Sequence, residues 1–254
     1  MECESIEARN EFVREYIDVL PPVVREKLAV DFALRFAHES TKIEGNRLTL
    51  LEVKILLEDG YSVGGKPLRE LYEVLNHHKA YRETIRWARE GRGLTHTAVQ
   101  ALHGVVMENI MPAGVYRNGN VRIVGASVVP PEASAVEGLM AEWLAEIEAL
   151  LSEKVRGEDA IRRAARAHGA FERIHPFFDG NGRTGRLLLN FLLMRMGFLP
   201  IVIRAAESAA YYAALEAYAA RGEGEALEAL VLQKENEVLA SVEADIRSAE
   251  DAPK

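Results

Sequence analysis

Between residues 175 and 186 the chain reads His175-Pro176-Phe177-Phe178-Asp179-Gly180-Asn181-Gly182-Arg183-Thr184-Gly185-Arg186, a concentration of groups able to handle phosphate. The glycines flanking Asn181 let successive backbone N–H groups turn toward one point. A helix opening near Arg183 would add the partial positive charge of its N-terminus, so the loop is suited to cradle an anion. Arg183 and Arg186 stand three apart, on one face of a first helical turn, where two guanidinium groups can clamp neighbouring phosphoryl oxygens. Asp179 offers the hard carboxylate suited to Mg²⁺ held between protein and phosphates. His175 is the one group of the segment that can accept a proton near neutral pH, as a hydroxyl nucleophile requires. Singly, a histidine before proline is a loop residue, Gly-Asn-Gly a tight turn and an arginine pair a solvated surface. Together they describe phosphate-group transfer. No G-x-x-x-x-G-K-[ST] occurs in the chain, which rejects a P-loop.

These residues need a scaffold, and most of the chain reads at helical period. Leu28, Phe32, Phe36 and Ile43 fall roughly on one face of a helix that begins after Pro21-Pro22 and should stop at Gly45-Asn46. Thr49 with Glu52 three residues on has the capping-box spacing that opens a second helix. Further helices are expected from Pro67 to Trp87, Thr95 to Ile110, Pro131 to Leu151, Asp159 to Ile174, Arg183 to Met196, Ser208 to Ala220 and Glu225 to Ile246. The exception is Gly114 to Val129, where β-formers surround Asn118-Gly119, a strong tight-turn signal. A small β-hairpin is expected there, and one that persists in water leans on the body of the protein or is completed by a bound chain. The expected class is all-α, a helical bundle with one β-hairpin flap.

The bulk properties set limits on function. With 254 residues the chain is one large domain or two small ones. Lys plus Arg number 31 against 39 Asp plus Glu, a formal net charge of −8, and nucleic acid is therefore not the expected partner. Cys3 is the single cysteine, which admits neither an internal disulfide nor a structural zinc site and fits a reducing cytoplasm. Met1 to Asn10 has no apolar stretch and is not read as a signal peptide. Leu187 to Ile203 is the most apolar segment, but Asn190, Arg195, Gly197 and Pro200 interrupt it, so a buried core helix is expected and no membrane span. His77-His78 and His168 lack acidic or cysteine partners at ligand spacing and are read as structural.

The loop resembles the signature of the Fic family, HxFx[DE]GNGRxxR, whose fixed positions are met by His175, Phe177, Asp179, Gly180, Asn181, Gly182, Arg183 and Arg186. The likeness extends to Gly114-Val115-Tyr116-Arg117 through Ile123, similar to the family's target-binding flap, and to Asn190 and Tyr211-Tyr212. It implies a Fic core over residues 95–220, an N-terminal helical region over 1–94 and a helical tail over 221–254. It also implies transfer of AMP from ATP to a Ser, Thr or Tyr hydroxyl of a target protein, with release of pyrophosphate. His175 would then be the general base and Asp179 the Mg²⁺ ligand. Asn181 and the N–H groups of Gly180 and Gly182 would hold the α-phosphate, Arg183 the β-phosphate and Arg186 the γ-phosphate. Phe177 would anchor the loop, and the flap backbone at Val121, Arg122 and Ile123 would hold the target segment by strand addition. Tyr211 or Tyr212 would stack on adenine or pack in the core. An asparagine that some relatives place at the adenine is replaced by Ala219, and phosphotransferase relatives tend to carry lysine at the position of Gly182.

A second motif lies far upstream. Ser40-Thr41-Lys42-Ile43-Glu44-Gly45 matches the family's inhibitory pattern [ST]xxxE[GN], in which the glutamate pairs with the second signature arginine and blocks the γ-phosphate position. The resemblance therefore implies a protein adenylyltransferase inhibited by its own Glu44. Two alternatives stay open: removal of AMP from modified proteins with Glu44 as a catalytic residue, and a nucleotide-sensing regulator without catalysis. An appended DNA-binding winged helix does not fit, because the tail after Arg221 is short and glutamate-rich. ATP and a target protein are the implied partners, and a homodimer is left open.

Overall fold

The computed structural model describes residues 5–62, 64–123, 125, 127–153 and 155–250, without the side chain of Glu250; Cys3, and Val124 of the expected flap, lie outside the described residues. The architecture is a bundle of ten α-helices among the described residues, with no β-strand. They are α1 (Ile6–Tyr16), α2 (Pro22–Ile43), α3 (Leu50–Lys54), α4 (Leu68–Arg89), α5 (His96–Val106), α6 (Val136–Ser152), α7 (Gly157–Ile174), α8 (Asn181–Arg195), α9 (Ser208–Arg221) and α10 (Glu225–Glu250).

The termini of these helices follow local chemistry. Pro22 sits at the first position of α2, where its missing N–H is not needed. The helix ends at Glu44, and Gly45 then takes φ +97°, a left-handed turn that suits glycine. Thr49 and Glu52 form the reciprocal capping box that their spacing predicts. Thr95 Oγ1 accepts the Ala98 N–H at 3.1 Å and so fixes the start of α5.

Several boundaries differ from the sequence expectation, three of them next to the loop and the expected flap. Helix α5 stops at Val106, four residues early, and Asn109 turns the chain at φ 60°. Helix α6 begins at Val136, because Pro130-Pro131 stays extended and a single 3₁₀ turn, Ala133–Ala135, intervenes. Helix α8 begins at Asn181, immediately after Gly180 at φ +78°. Helix α1 has no counterpart in the expectation, since Val13 is its one fully buried residue and its apolar periodicity is weak.

The expected hairpin is the larger correction. Among the described residues, 114–123 forms turns and extended chain with no ladder. Arg117 instead anchors the segment to the loop before α8. Its backbone N–H donates to Pro176 O at 2.9 Å, and its buried guanidinium donates to the carbonyls of His175, Gly119 and Pro131 at 2.9, 3.1 and 2.5 Å. The segment is tied to the loop by one side chain, where a hairpin would be tied by cross-strand pairs.

Helix α8 is the axis of the bundle, with every residue from Arg183 to Leu193 buried. Helices α4 and α7 flank it along its length, α5 meets its start, and α10 lies along the outer side of α7 with α1 against it. One hydrophobic core runs from Ala33 on α2 to Val231 on α10, so residues of all three expected segments share it. Among the described residues no helix is long and apolar enough to cross a membrane.

A polar clasp closes the far end of α8. Asn190 is buried, donates from Nδ2 to Ile201 O at 3.0 Å and accepts the Ile201 N–H on Oδ1 at 2.8 Å. Replacing Asn190 with leucine strands both backbone groups away from water, at about 1 to 3 kcal/mol for each unpaired group. The melting temperature of Asn190→Leu, measured by circular dichroism, should fall by several degrees with little change in the helical spectrum.

Candidate active site

The loop between α7 and α8 begins with an uncommon backbone. His175 lies at φ 51°, the left-handed region that costs a non-glycine residue about 1 kcal/mol or more, while its N–H still donates to Phe171 O at 3.0 Å. Three contacts hold the strain. Phe177 is wholly buried and stacks on the His103 ring, centroids 3.6 Å apart and planes within 5°. His103 Nε2 in turn meets Asp179 O at 2.9 Å, and the Arg117 guanidinium takes the His175 carbonyl.

Asn181 is the fourth clasp. Its Oδ1 accepts the Phe177 N–H at 2.9 Å and its Nδ2 donates to Phe177 O at 2.8 Å. One acceptor and one donor position of the amide thus serve the loop, and the second Nδ2 N–H has no partner of its own among these bonds. The Gly180 N–H is also taken, by Asp179 Oδ1 at 2.6 Å. The first bond inside α8 runs from Thr184 N–H to Gly180 O, so the amides of Gly182 and Arg183 are the first-turn donors that open toward an anion.

The charged groups pair closely. Arg183, 2% exposed in its side chain, donates to Asp179 Oδ1 at 3.2 Å and lies 3.7 Å from Glu73 on α4. Arg69, also on α4, donates to Asp179 Oδ2 at 2.5 Å. Burial would raise the Asp179 carboxyl, but Arg183, Arg69 and the Gly180 N–H hold it below the usual carboxylate range. Arg186 is buried to the same degree as Arg183. Its Nε donates to Ser40 Oγ at 2.9 Å, and its Nη2 donates to Ser40 O at 2.8 Å and to Glu44 Oε1 at 2.7 Å. Burial alone would depress this guanidinium, yet Glu44 keeps it firmly charged.

A pocket of about 430 Å³ opens beside these groups, lined by Glu44, His175, Gly182, Arg186, Tyr211, Tyr212 and Ile123 among others. Gly182 leaves the space that the Glu44 carboxylate occupies, and a Cβ there would push that carboxylate aside. Asp179, Gly180, Asn181, Arg183, Val121 and Arg122 are not among its lining residues. Tyr211 is fully buried with its hydroxyl 2.7 Å from His168 Nε2, which accounts for His168 as a structural residue. Tyr212 is about half exposed and donates to Ile43 O at 3.2 Å. Glu172 shares the wall, and burial pushes its carboxyl up to about 8 against the pull of Arg186.

Among the described residues no three His, Cys, Asp or Glu side chains converge as a metal cage. A single carboxylate beside a phosphate cradle instead fits Mg²⁺ that arrives with substrate phosphates, the usual mode for this reluctantly dehydrated ion. Sequence reasoning missed Arg69, Glu73, His103, Arg117 and Glu172. Arg117 stood within the expected flap, but nothing in a single sequence signals that an arginine will cap carbonyls.

Comparison with known proteins gives a consistent result. The model of the Fic/DOC family matches residues 93–193. "Protein adenylyltransferase fic-1" of Caenorhabditis briggsae is 34% identical over 214 residues, covering 82% of this chain and 40% of that protein. Its namesake in Caenorhabditis elegans is 35% identical over 186 residues, covering 71% of this chain and 35% of that protein. The chain therefore spans two fifths or less of the length of these curated relatives. Among solved structures, Fic-1 from C. elegans superposes with a TM-score of 0.83 at 26% identity, over 96% of this chain and 72% of that one. A Fic-domain signaling protein from Bacteroides thetaiotaomicron shares the fold with a TM-score of 0.82 at 22% identity, over 97% and 99%.

The environment of His175 has a consequence for pH. Burial lowers its pKa below the ordinary histidine value, the Glu172 backbone carbonyl partly opposing and Arg117 reinforcing the shift. The neutral, proton-accepting imidazole therefore predominates at pH 7 and is lost only as pH falls through a midpoint under 6.5. An NMR titration of the His175 ring should show that midpoint, and any reaction using His175 as a base should be flat from pH 8 to about 6.5.

Proposed function

The chain belongs to the Fic/DOC family, and on that premise we propose that it is a protein adenylyltransferase held in check by its own Glu44. The observation that carries the reading is the convergence on one pocket of a neutral His175, the α8 N-terminus and Arg186 already paired with a carboxylate. In the forward reaction the target hydroxyl oxygen bonds to the α-phosphorus of ATP. The bond from that phosphorus to the bridging oxygen breaks, pyrophosphate leaves, and the hydroxyl proton passes to the His175 imidazole.

Each group has a distinct task in this reading. The amides of Gly182 and Arg183 face the α-phosphate, and the Arg183 and Arg186 side chains face the β- and γ-phosphates. Asp179 would hold Mg²⁺, which neutralises charge accumulating on the phosphates when it is bound. Glu44 mimics the γ-phosphate at Arg186, so ATP cannot seat its α-phosphate in line with the incoming hydroxyl while the pair is closed. The division of labour follows, with residues 1–94 regulating, 95–220 catalysing and 221–254 supporting α7. Tyr211 belongs to the core beneath Arg186, which leaves Tyr212 as the tyrosine exposed to a base. The acidic composition and single cysteine fit a cytoplasmic setting.

The flap reading rests on residues 121–123, which lie in neither helix nor strand and make no backbone–backbone hydrogen bond among the described residues. Proline at Ile123 removes an N–H that an added strand would use. Calorimetry should show ATP affinity of Ile123→Pro within a few-fold of wild type while target modification falls sharply; a collapse of both would place the segment in the nucleotide site.

The central test is incubation with isotope-labelled ATP and mass spectrometry of the products. Glu44→Gly should raise self-modification and target modification by orders of magnitude, because productive geometry is worth several kcal/mol of barrier. His175→Ala in the same background should remove the gain, by roughly 10²- to 10⁴-fold or more. Equal rates in all forms would defeat the assignment, and AMP removal by wild type that Glu44→Gly abolishes would make Glu44 catalytic.

A further inference from the structure

Arg69 is absent from the signature and from the inhibitory motif, yet it holds the carboxylate assigned to the metal. Asp179 has two oxygens with different obligations. Oδ1 faces the loop and accepts from Gly180 N–H at 2.6 Å and from Arg183 Nη2 at 3.2 Å. Oδ2 is the outward oxygen, and Arg69 Nη2 lies on it at 2.5 Å. The same guanidinium donates from Nε to Glu73 Oε1 at 3.0 Å, and Glu73 Oε2 accepts from Asn46 Nδ2 at 3.0 Å. Asn46 follows Glu44 by two residues, across the left-handed Gly45. A continuous chain of charged and polar contacts therefore links Asp179 to the segment that delivers Glu44 to Arg186.

Mg²⁺ bonds oxygen at about 2.0 to 2.1 Å and demands near-octahedral space, so a guanidinium on Oδ2 competes with it through like-charge repulsion and crowding at that oxygen. We infer that Arg69 is the cationic half of a two-charge mimic of Mg·ATP, closing the metal carboxylate from the same N-terminal helices that place Glu44 at the γ-phosphate site. The nucleotide complex would bring one negative group to Arg186 and one cation to Asp179. The resting protein supplies both internally, Glu44 from the end of α2 and Arg69 from the first turn of α4. Arg69 is a positioning residue that acts through Asp179. Its side chain is 55% exposed, so the pair is screened by solvent and its displacement by a metal should be easy. This inference rests on the assignment of Asp179 to the metal in the proposed function.

The test is metal binding measured without catalysis. Mn²⁺ is titrated into the full chain with saturating ADP, which lacks the γ-phosphate and leaves Glu44 in place, and free Mn²⁺ is followed by electron paramagnetic resonance. Arg69→Gln should tighten the Mn²⁺ dissociation constant by roughly two- to fivefold, the range of a partly exposed ion pair. Metal-free ADP affinity and the melting temperature should stay unchanged, as they would not if Arg69 merely ordered the loop. Arg69→Lys should lie between wild type and Arg69→Gln, because a lysine cannot hold Asp179 and Glu73 with one planar fork. Unchanged or weaker Mn²⁺ binding in Arg69→Gln overturns the inference. Asp179→Asn, run in parallel, should abolish the binding. If it binds Mn²⁺ like wild type, the metal assignment itself fails, and the inference with it.

Discussion

A guanidinium buried at the centre of a helical bundle has to be given an anion, and Arg186 is the point around which this structure is organised. Stranding such a charge in a dry interior costs several kcal/mol, far more than most single contacts contribute. Its position is dictated by α8, which is buried on all sides and cannot rotate one residue away without exposing leucines on the opposite face. The anion must therefore come to Arg186. Helix α2 does this with three acceptors at once: the Ser40 hydroxyl, the Ser40 carbonyl and the Glu44 carboxylate. Two of those are neutral and cannot balance the charge. Glu44 is the partner that does, and also the one reachable from the pocket.

The same logic divides the site into fixed and exchangeable parts. The loop backbone is held by groups whose hydrogen bonds are all internal: Asn181 around Phe177, His103 on Asp179 O, and Arg117 across the carbonyls of His175 and Pro131. Nothing in that set competes with a nucleotide. The ion pairs do compete, since Glu44 on Arg186 and Arg69 on Asp179 occupy the sites where a phosphate and a metal would be bound in the proposed reaction. A strained His175 is tolerable for the same reason: the clasps over-determine its backbone whether or not a ligand is present.

What could be read in advance was what repeats by rule. Helical periodicity and capping chemistry located most helices to within a few residues, because caps such as Thr49 with Glu52 and stops such as Gly45 act through local geometry alone. The loop was legible because its chemistry is compressed into twelve neighbouring residues. Contacts made at long range were not. Arg117, His103 and Arg69 acquire their roles 58, 76 and 110 positions away, and a single sequence carries no mark of such pairings. The expected hairpin is absent among the described residues for a related reason. Val121 and Ile123 have the strand propensity that was read from them, but propensity needs a partner strand, and Arg117 had already committed this segment to the loop. Helix α1 carries little mark in the sequence because Val13 is its one fully buried residue, packed with Leu239 and Ile246 of α10.

Asn181 shows most clearly how a correct motif can hide a different physical role. Its place between two glycines invites a side-chain contact to phosphate, and the same amide already closes the loop on Phe177 with one donor and one acceptor. The glycines then gain a sharper meaning. Gly180 lets the chain turn at φ +78° so that α8 can begin, and Gly182 leaves room for a carboxylate of Glu44 or, in the proposed reaction, for a phosphate in its stead. An asparagine is chosen between them because its side chain carries both a donor and an acceptor and can close a backbone turn on itself. Aspartate offers no donor and leucine neither group. In the proposed reaction the phosphates would be met by the amides of the first turn of α8 and by the two buried arginines, and the side chain at the loop's centre fixes the backbone that carries those amides.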